Sequence, residues 1–333
     1  SPGFESDQHL AAGAEFKGTV DGGAGQNLLR IQSGASDSRT VVASQILNFQ
    51  DLISEGAGTL ALTGGSYDFD SVAINGGDLE LGANTTLTSE AGVVFDGADN
   101  TLTLASGATI VGGVDAGAGM DTLALIQAQG FSRDWFDLGF EGFERVEASG
   151  AGELRFDADT VLTGGLGLNG GNVVVMAGST LTADVLGGAG DDSLAILGSV
   201  EGDVDLGGGA DRLIVSDANG AGLRSGGAGD DTLDFRTTGS YATPTVYDAS
   251  RYQSFEKLAV SGGVVSLTSD STWKGLSLTG GRLIVQAGTV LTSDTAIDVG
   301  AGAVFGSAGT VNADINVKGT LSPGASPGTM TVN

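Results

Sequence analysis

Cysteine is absent, histidine occurs once, and only 14 of 333 side chains are basic. Without cysteine there are no disulfides, thiol nucleophiles or Cys–zinc sites. The absence also fits export, since some exported chains cross an oxidising space unfolded. The 14 Lys and Arg face 41 Asp and Glu, for a net charge of −27. Such an acid excess repels phosphate backbones and anionic headgroups, which disfavours nucleic acid and membrane surfaces as partners. Aromatics are few, at 6%. No apolar run approaches the roughly 18 residues of a membrane span. There is no initiator Met and no basic-then-apolar leader. Ser1-Pro2-Gly3-Phe4 reads as an added sequence and Asn333 carries no terminal signal, so a piece of a longer protein is expected.

What is abundant is glycine, 59 residues in all. Glycine costs about 1 kcal/mol per helix position relative to Ala, which argues against a helical protein. A hydrophobic fraction of 40% is too high for a disordered acidic chain. The chain folds, mostly without helices.

Self-comparison shows three copies of one unit. Phe49-Gln-Asp-Leu52, Phe143-Glu-Arg-Val146 and Phe255-Glu-Lys-Leu258 are each followed closely by Ser and Gly. Glycine pairs then follow at Gly76-Gly77, Gly170-Gly171 and Gly280-Gly281, after steps of 27, 27 and 25 residues. The pairs open GGDLELGANTTLTS, GGNVVVMAGSTLTA and GGRLIVQAGTVLTS, with a step of 11 to Leu87, Leu181 and Leu291 each time. The units span roughly 16–113, 114–222 and 223–333 of one continuous domain. Within them, runs such as Thr101-Leu102-Thr103-Leu104 alternate with period two, and glycines punctuate the turns. Glycine motifs beginning at Gly187, Gly207 and Gly226 step by 20 and 19, one coil of a parallel solenoid. The expected fold is all-β: a right-handed parallel β-helix, a single-stranded solenoid of roughly 16 coils. A sandwich or barrel would instead need antiparallel hairpin signals.

The last residues, Val317 to Asn333, read VKGTLSPGASPGTMTVN. This segment resembles the passenger-associated strand motif of Gram-negative autotransporters, through Gly319, Leu321, Pro323, Gly324, Ser326, Gly328, Thr329, Thr331 and Val332. Pro327 and Met330 depart from the commonest residues of that motif. The F-E-x-L and G-G-x-L units also resemble passenger repeats, so the resemblance covers most of the chain. It implies a β-helical passenger displayed outside the outer membrane by type V secretion, preceding an autochaperone region and a membrane β-barrel that this chain does not contain. It implies no single activity: such passengers include adhesins, aggregation factors, proteases and esterases.

The sharpest local signal is GGAGDDSL (187–194) and GGAGDDTL (226–233), with GGGADRL (207–213) between. The first and last match the G-G-x-G-x-D calcium repeat, in which carbonyls and carboxylates supply hard oxygen ligands. Calcium rolls repeat every nine residues, whereas this step is 19–20, so ligands would come from stacked coils. Asp191, Asp192, Asp211, Asp230 and Asp231 are therefore calcium candidates. The structural alternative is that the glycines form corners and the aspartates bond turn amides. No cofactor is required.

Paired carboxylates at 190–192 and 229–231 also resemble those of β-helical pectin hydrolases, but the companion Gly-His-Gly and Arg-Ile-Lys motifs are missing. A serine triad would need His9, near a chain end and expected to be solvated. No enzyme is expected. Phe131, Trp135, Phe136 and Phe140 crowd one insert, and Tyr241, Tyr247 and Tyr252 another. These aromatics either contact a partner or pack an irregular segment onto the solenoid. The expected function is adhesion or cell–cell self-association at the bacterial surface, toward a host receptor, matrix, or another copy of the chain. A passive stalk is the alternative.

Overall fold

The structure, a computed structural model, describes residues 6–217, 219–323 and 331–333. Residues 324–330 of the strand motif, Met330 and Pro327 included, and the opening Ser1-Pro2-Gly3-Phe4 lie outside these described residues. The chain is all-β and about 2% helical, its parallel strands stacked as a β-solenoid of about 16 turns. Among the described residues no helix is long and apolar enough to cross a membrane.

Two compact units divide it, residues 1–154 with 161–167, and residues 155–160 with 168–333. In the first unit, seven strands pair in parallel from Ser6–Leu10 through Asn27–Gln32 and Asp51–Glu55 to Phe140–Glu141. A second ladder in this unit stacks Ser38–Val42, Thr59–Thr63, Asp78–Leu81, Thr101–Leu104, Thr122–Ile126 and Arg145–Ser149. A third joins Ser66–Phe69, Thr86–Ser89 and Thr109–Val111.

Registers explain the alternation. Leu60, Leu79, Leu102, Leu123 and Val146 lie directly above one another, as do Leu62, Leu81, Leu104 and Leu125. All nine are essentially inaccessible to solvent. Each such side chain contributes about 1.5–3 kcal/mol on burial, so the columns hold the coils together. Of the residues between them, Glu80, Thr103 and Ala124 are half-buried on the outer side, and the branched Thr103 suits a strand.

The second unit repeats this architecture. Its longest ladder runs Asn172–Val175, Ser193–Ile196, Arg212–Val215, Thr232–Arg236, Lys257–Gly262, Gly275–Leu278, Ile297–Val299 and Ile315–Val317. Val175, Ile196, Val215, Phe235, Val260, Leu278 and Val299 form one inward column of it. Corners require glycine. Gly229 has φ +153°, and a Cβ there would sit 1.6 Å from the Gly209 carbonyl oxygen of the coil below. Any side chain would push the coils apart.

The sequence copies do not share a face. Asp51–Glu55, beside Phe49, lies in the seven-stranded ladder, whereas Arg145–Ser149, beside Phe143, lies in the second ladder of the same unit. Phe49 to Phe143 spans four coils and one further strand, so the second copy starts one face on.

Candidate functional site

The Gly-Asp-Asp corners of the second unit place two adjacent carboxylates on opposite errands. Asp192 is buried, and its Oδ1 accepts the amide N–H of Gly171 in the preceding coil at 2.9 Å. Exposed Asp191 instead accepts the Ala210 amide of the following coil at 2.7 Å. One corner is thus tied to both neighbours. The inward series continues: the Asp192 amide donates to Asp211 Oδ1 at 2.7 Å, and that of Asp211 to Asp231 Oδ1 at 2.8 Å. The Asp231 amide donates to Glu256 Oε2 at 2.9 Å and ends the series.

Short acidic side chains suit this position because a glycine corner leaves one amide per coil without a strand partner, and a buried amide must be satisfied. The second oxygens of Asp192, Asp211 and Asp231 are buried with no hydrogen-bond partner. Burial raises the pKa of all three; for Asp211 it does so to about 6, with the charges of Asp231 and Asp192 adding to the effect. Asp230, beside them in sequence, behaves oppositely. It is exposed and held by Lys257 and Lys274 Nζ, each at 2.8 Å, which lower its pKa to about 2.

The five calcium candidates thus separate into an inward set, Asp192, Asp211 and Asp231, and an outward pair, Asp191 and Asp230. Among the described residues no group of three or more His, Cys, Asp or Glu is arranged to hold a metal ion. Nor do Asp191 and Asp192 face each other across a shared space, as a glycosidase pair would. Asp191, Asp192, Asp211 and Asp231 each accept a backbone amide, whereas Asp230 pairs with two lysines.

No protein-family model, curated protein or solved structure matches the chain.

The aromatic candidates divide as well. In the first unit, Trp135–Leu138 forms a single helical turn closed by Gly139 at φ +60°. Phe131 and Phe136 are exposed, whereas Trp135 and Phe140 are half-buried, the Phe140 ring 6.4 Å from that of Phe143. In the second unit Tyr241 is exposed. Tyr247 is not a contact residue: it is buried against Phe235, Trp273 and Tyr252, with ring centroids 6.4, 5.5 and 6.2 Å away. Its insert packs inward because Phe235 and Trp273 present an apolar surface large enough for two tyrosines. His9 is solvated as expected, but within the paired strand Ser6–Leu10, opposite Arg30.

Two features escaped sequence reasoning. Arg224 is fully buried, its Nη1 and Nη2 donating to the carbonyls of Gly202, Leu223, Val200, Asn219 and Ala221 at 2.7–3.1 Å. Burial, then the nearby Arg251 charge, lower its pKa to about 10, so it stays cationic at neutral pH. Its surroundings in sequence, Gly-Leu-Arg-Ser-Gly, look like a solvated turn and give no warning. The other is the first unit's own corner series, Asn100, Asp121 and Glu144, detectable from Asp99-Asn100 and Asp121 standing before strands as Asp191-Asp192 and Asp211 do.

Proposed function

We propose that the chain is the passenger of a Gram-negative autotransporter, exposed on the outer membrane by type V secretion, and that it mediates bacterial adhesion or self-association. The observation that carries this reading is the strand motif beginning at Gly319 and Leu321, in a chain that winds as a parallel β-solenoid. A regular solenoid offers long lateral faces, and many weak contacts along them give avidity without a deep pocket. Exposed Phe131, Phe136 and Tyr241, among few aromatics, support contact with a host-cell or matrix receptor or with a second copy on a neighbouring cell. The reading calls for no cofactor and fits a role in aggregation, biofilm and virulence.

Display of the full-length protein on non-adherent bacteria tests it. Settling of the cells or capture by host cells is the expected result; no gain in either overturns it. A second reading, a passive stalk presenting another domain, is favoured by the continuous apolar columns, which need no ligand. Replacing the chain by an unrelated solenoid of equal length abolishes adhesion in the first case and preserves it in the second.

A further inference from the structure

The second unit carries a small groove in which a cation has been left without an anion. The insert before Thr245–Val246 brings Tyr241 and Pro244 over the outer face of the ladder that contains Arg282–Val285. Together with Arg282, Ile284, Gln286 and Ser322 they line a groove of about 160 Å³. That is below the roughly 300 Å³ of ordinary ligand pockets, a size for one ring rather than an extended molecule.

The chemistry of the lining is specific. Arg30, Arg39, Arg145 and Arg212 each face a carboxylate, and Arg224 is saturated by carbonyls. Among the described residues the Arg282 guanidinium has neither ion pair nor hydrogen bond. It lies 5.3 Å from the centroid of the Tyr241 ring, a cation–π contact that fixes it in place. In a chain with 41 acidic side chains, none of which lines this groove, that is an electropositive hole. Gln286 donates Nε2 to Ser266 Oγ at 2.8 Å, which leaves its amide oxygen aimed by a fixed side chain. Ile284 supplies an apolar floor, and Tyr241, exposed over 56% of its surface, an open aromatic platform.

We propose that this groove binds a carboxylated sugar, a uronic-acid unit of a surface or matrix glycan. The guanidinium takes the carboxylate as a bidentate, charge-assisted pair. The amide oxygen of Gln286 and the Ser322 hydroxyl take ring hydroxyls, and the pyranose C–H face lies against Ile284 and Tyr241. Asp217, which accepts from Thr245 beside Pro244, lies outside the lining; repulsion from acidic residues is screened over about 8 Å at physiological salt, whereas the pair at Arg282 is in direct contact. This deepens the adhesive reading and rests on it for the presence of such glycans at the site of action.

Ligand-observed NMR titration of the purified chain with sodium glucuronate, D-glucose and triglycine tests the proposal. Saturable glucuronate binding, absent for glucose and triglycine at equal concentrations, is expected. Arg282→Gln weakens it about tenfold or more, the loss of one charge-assisted bidentate pair. Tyr241→Ala weakens it as well, while both variants keep the wild-type thermal unfolding curve. Arg282→Lys, which keeps the charge, retains part of the binding and guards against a misfolded glutamine variant. Equal binding of glucose, equal binding of triglycine, or indifference to all three substitutions each overturns the proposal. Failure here with adhesion of displaying bacteria intact removes the groove and leaves the adhesive function; glucuronate binding without adhesion does the reverse.

Discussion

Two corresponding corner positions, Asn100 in the first unit and Asp192 in the second, carry different side chains and bond different groups, a carbonyl in one and an amide in the other. In the first unit the position is held by Asn100, whose Nδ2 donates to the Gly77 carbonyl at 2.8 Å while its own amide donates to Asp121. In the second unit Asp192 stands there and accepts from Gly171 instead. An asparagine donates and accepts and carries no charge. An aspartate only accepts, and when three stack in successive coils their buried second oxygens add like charges to the desolvation cost. The comparison teaches that equivalent corners differ in how they answer to pH: neutral where asparagine stands, titrating where aspartate does.

The sign follows from the direction of the shifts. Asp192, Asp211 and Asp231, and Asp121 in the first unit's series, have folded pKa values raised above their unfolded ones by burial, so their stabilising contribution is complete below about pH 3.8 and is lost as pH rises, for Asp211 through about 6. Lowered Asp230 acts oppositely, but it is exposed, and its contribution is lost only as pH falls toward about 2. Between pH 4 and 7 the raised set governs.

The sharpest way to break the comparison is to exchange the residues. Asn100→Asp puts a buried carboxylate against the Gly77 carbonyl and should cost about 3 kcal/mol at pH 7, less at pH 4. Denaturant unfolding at the two pH values measures it; an equal cost at both refutes the electrostatic explanation. For the wild-type protein, raising pH from 4 to 7 should remove on the order of 3 kcal/mol through Asp211 alone, whose pKa burial raises from 3.8 to about 6. General repulsion at net charge −27 slopes the same way, so the discriminating quantity is the difference from Asp211→Asn. Relative to wild type, that variant should be about 3 kcal/mol better off at pH 7 than at pH 4 and show a correspondingly flatter profile, since its amide oxygen still accepts from Asp192. The smallest effect belongs to the surface: Lys274→Met should leave the unfolding curve nearly unchanged, because Asp230 keeps Lys257 and the pair is exposed.

Much of this was legible beforehand. The period-two alternation of Thr101-Leu102-Thr103-Leu104 and the step of about 20 between glycine corners are enough to call a parallel solenoid, because an inward column of identical residues is what stacking requires. The glycines themselves were readable, since Gly229 leaves no room for a Cβ. The rotation of Asp51–Glu55 and Arg145–Ser149 onto different ladders was not: it depends on whether the copy spacing is a whole number of coils, and coil length varies with its loops. Nor was the split within Asp191-Asp192 readable, because adjacent aspartates look alike until the corner turns one inward. Tyr247 was misplaced among the contact candidates because an aromatic in an insert looks like a loop residue until Phe235 and Trp273 are seen beneath it.

Residue-resolved carboxyl titration by carbon-detected NMR tests the inward series most directly, because Asp211 and Asp230 sit in neighbouring corners and report opposite environments. A midpoint near 6 for Asp211 and near 2 for Asp230 is the predicted result. Midpoints that coincide in the ordinary aspartate range would contradict it, and would mean that the second aspartate of each motif faces water like the first.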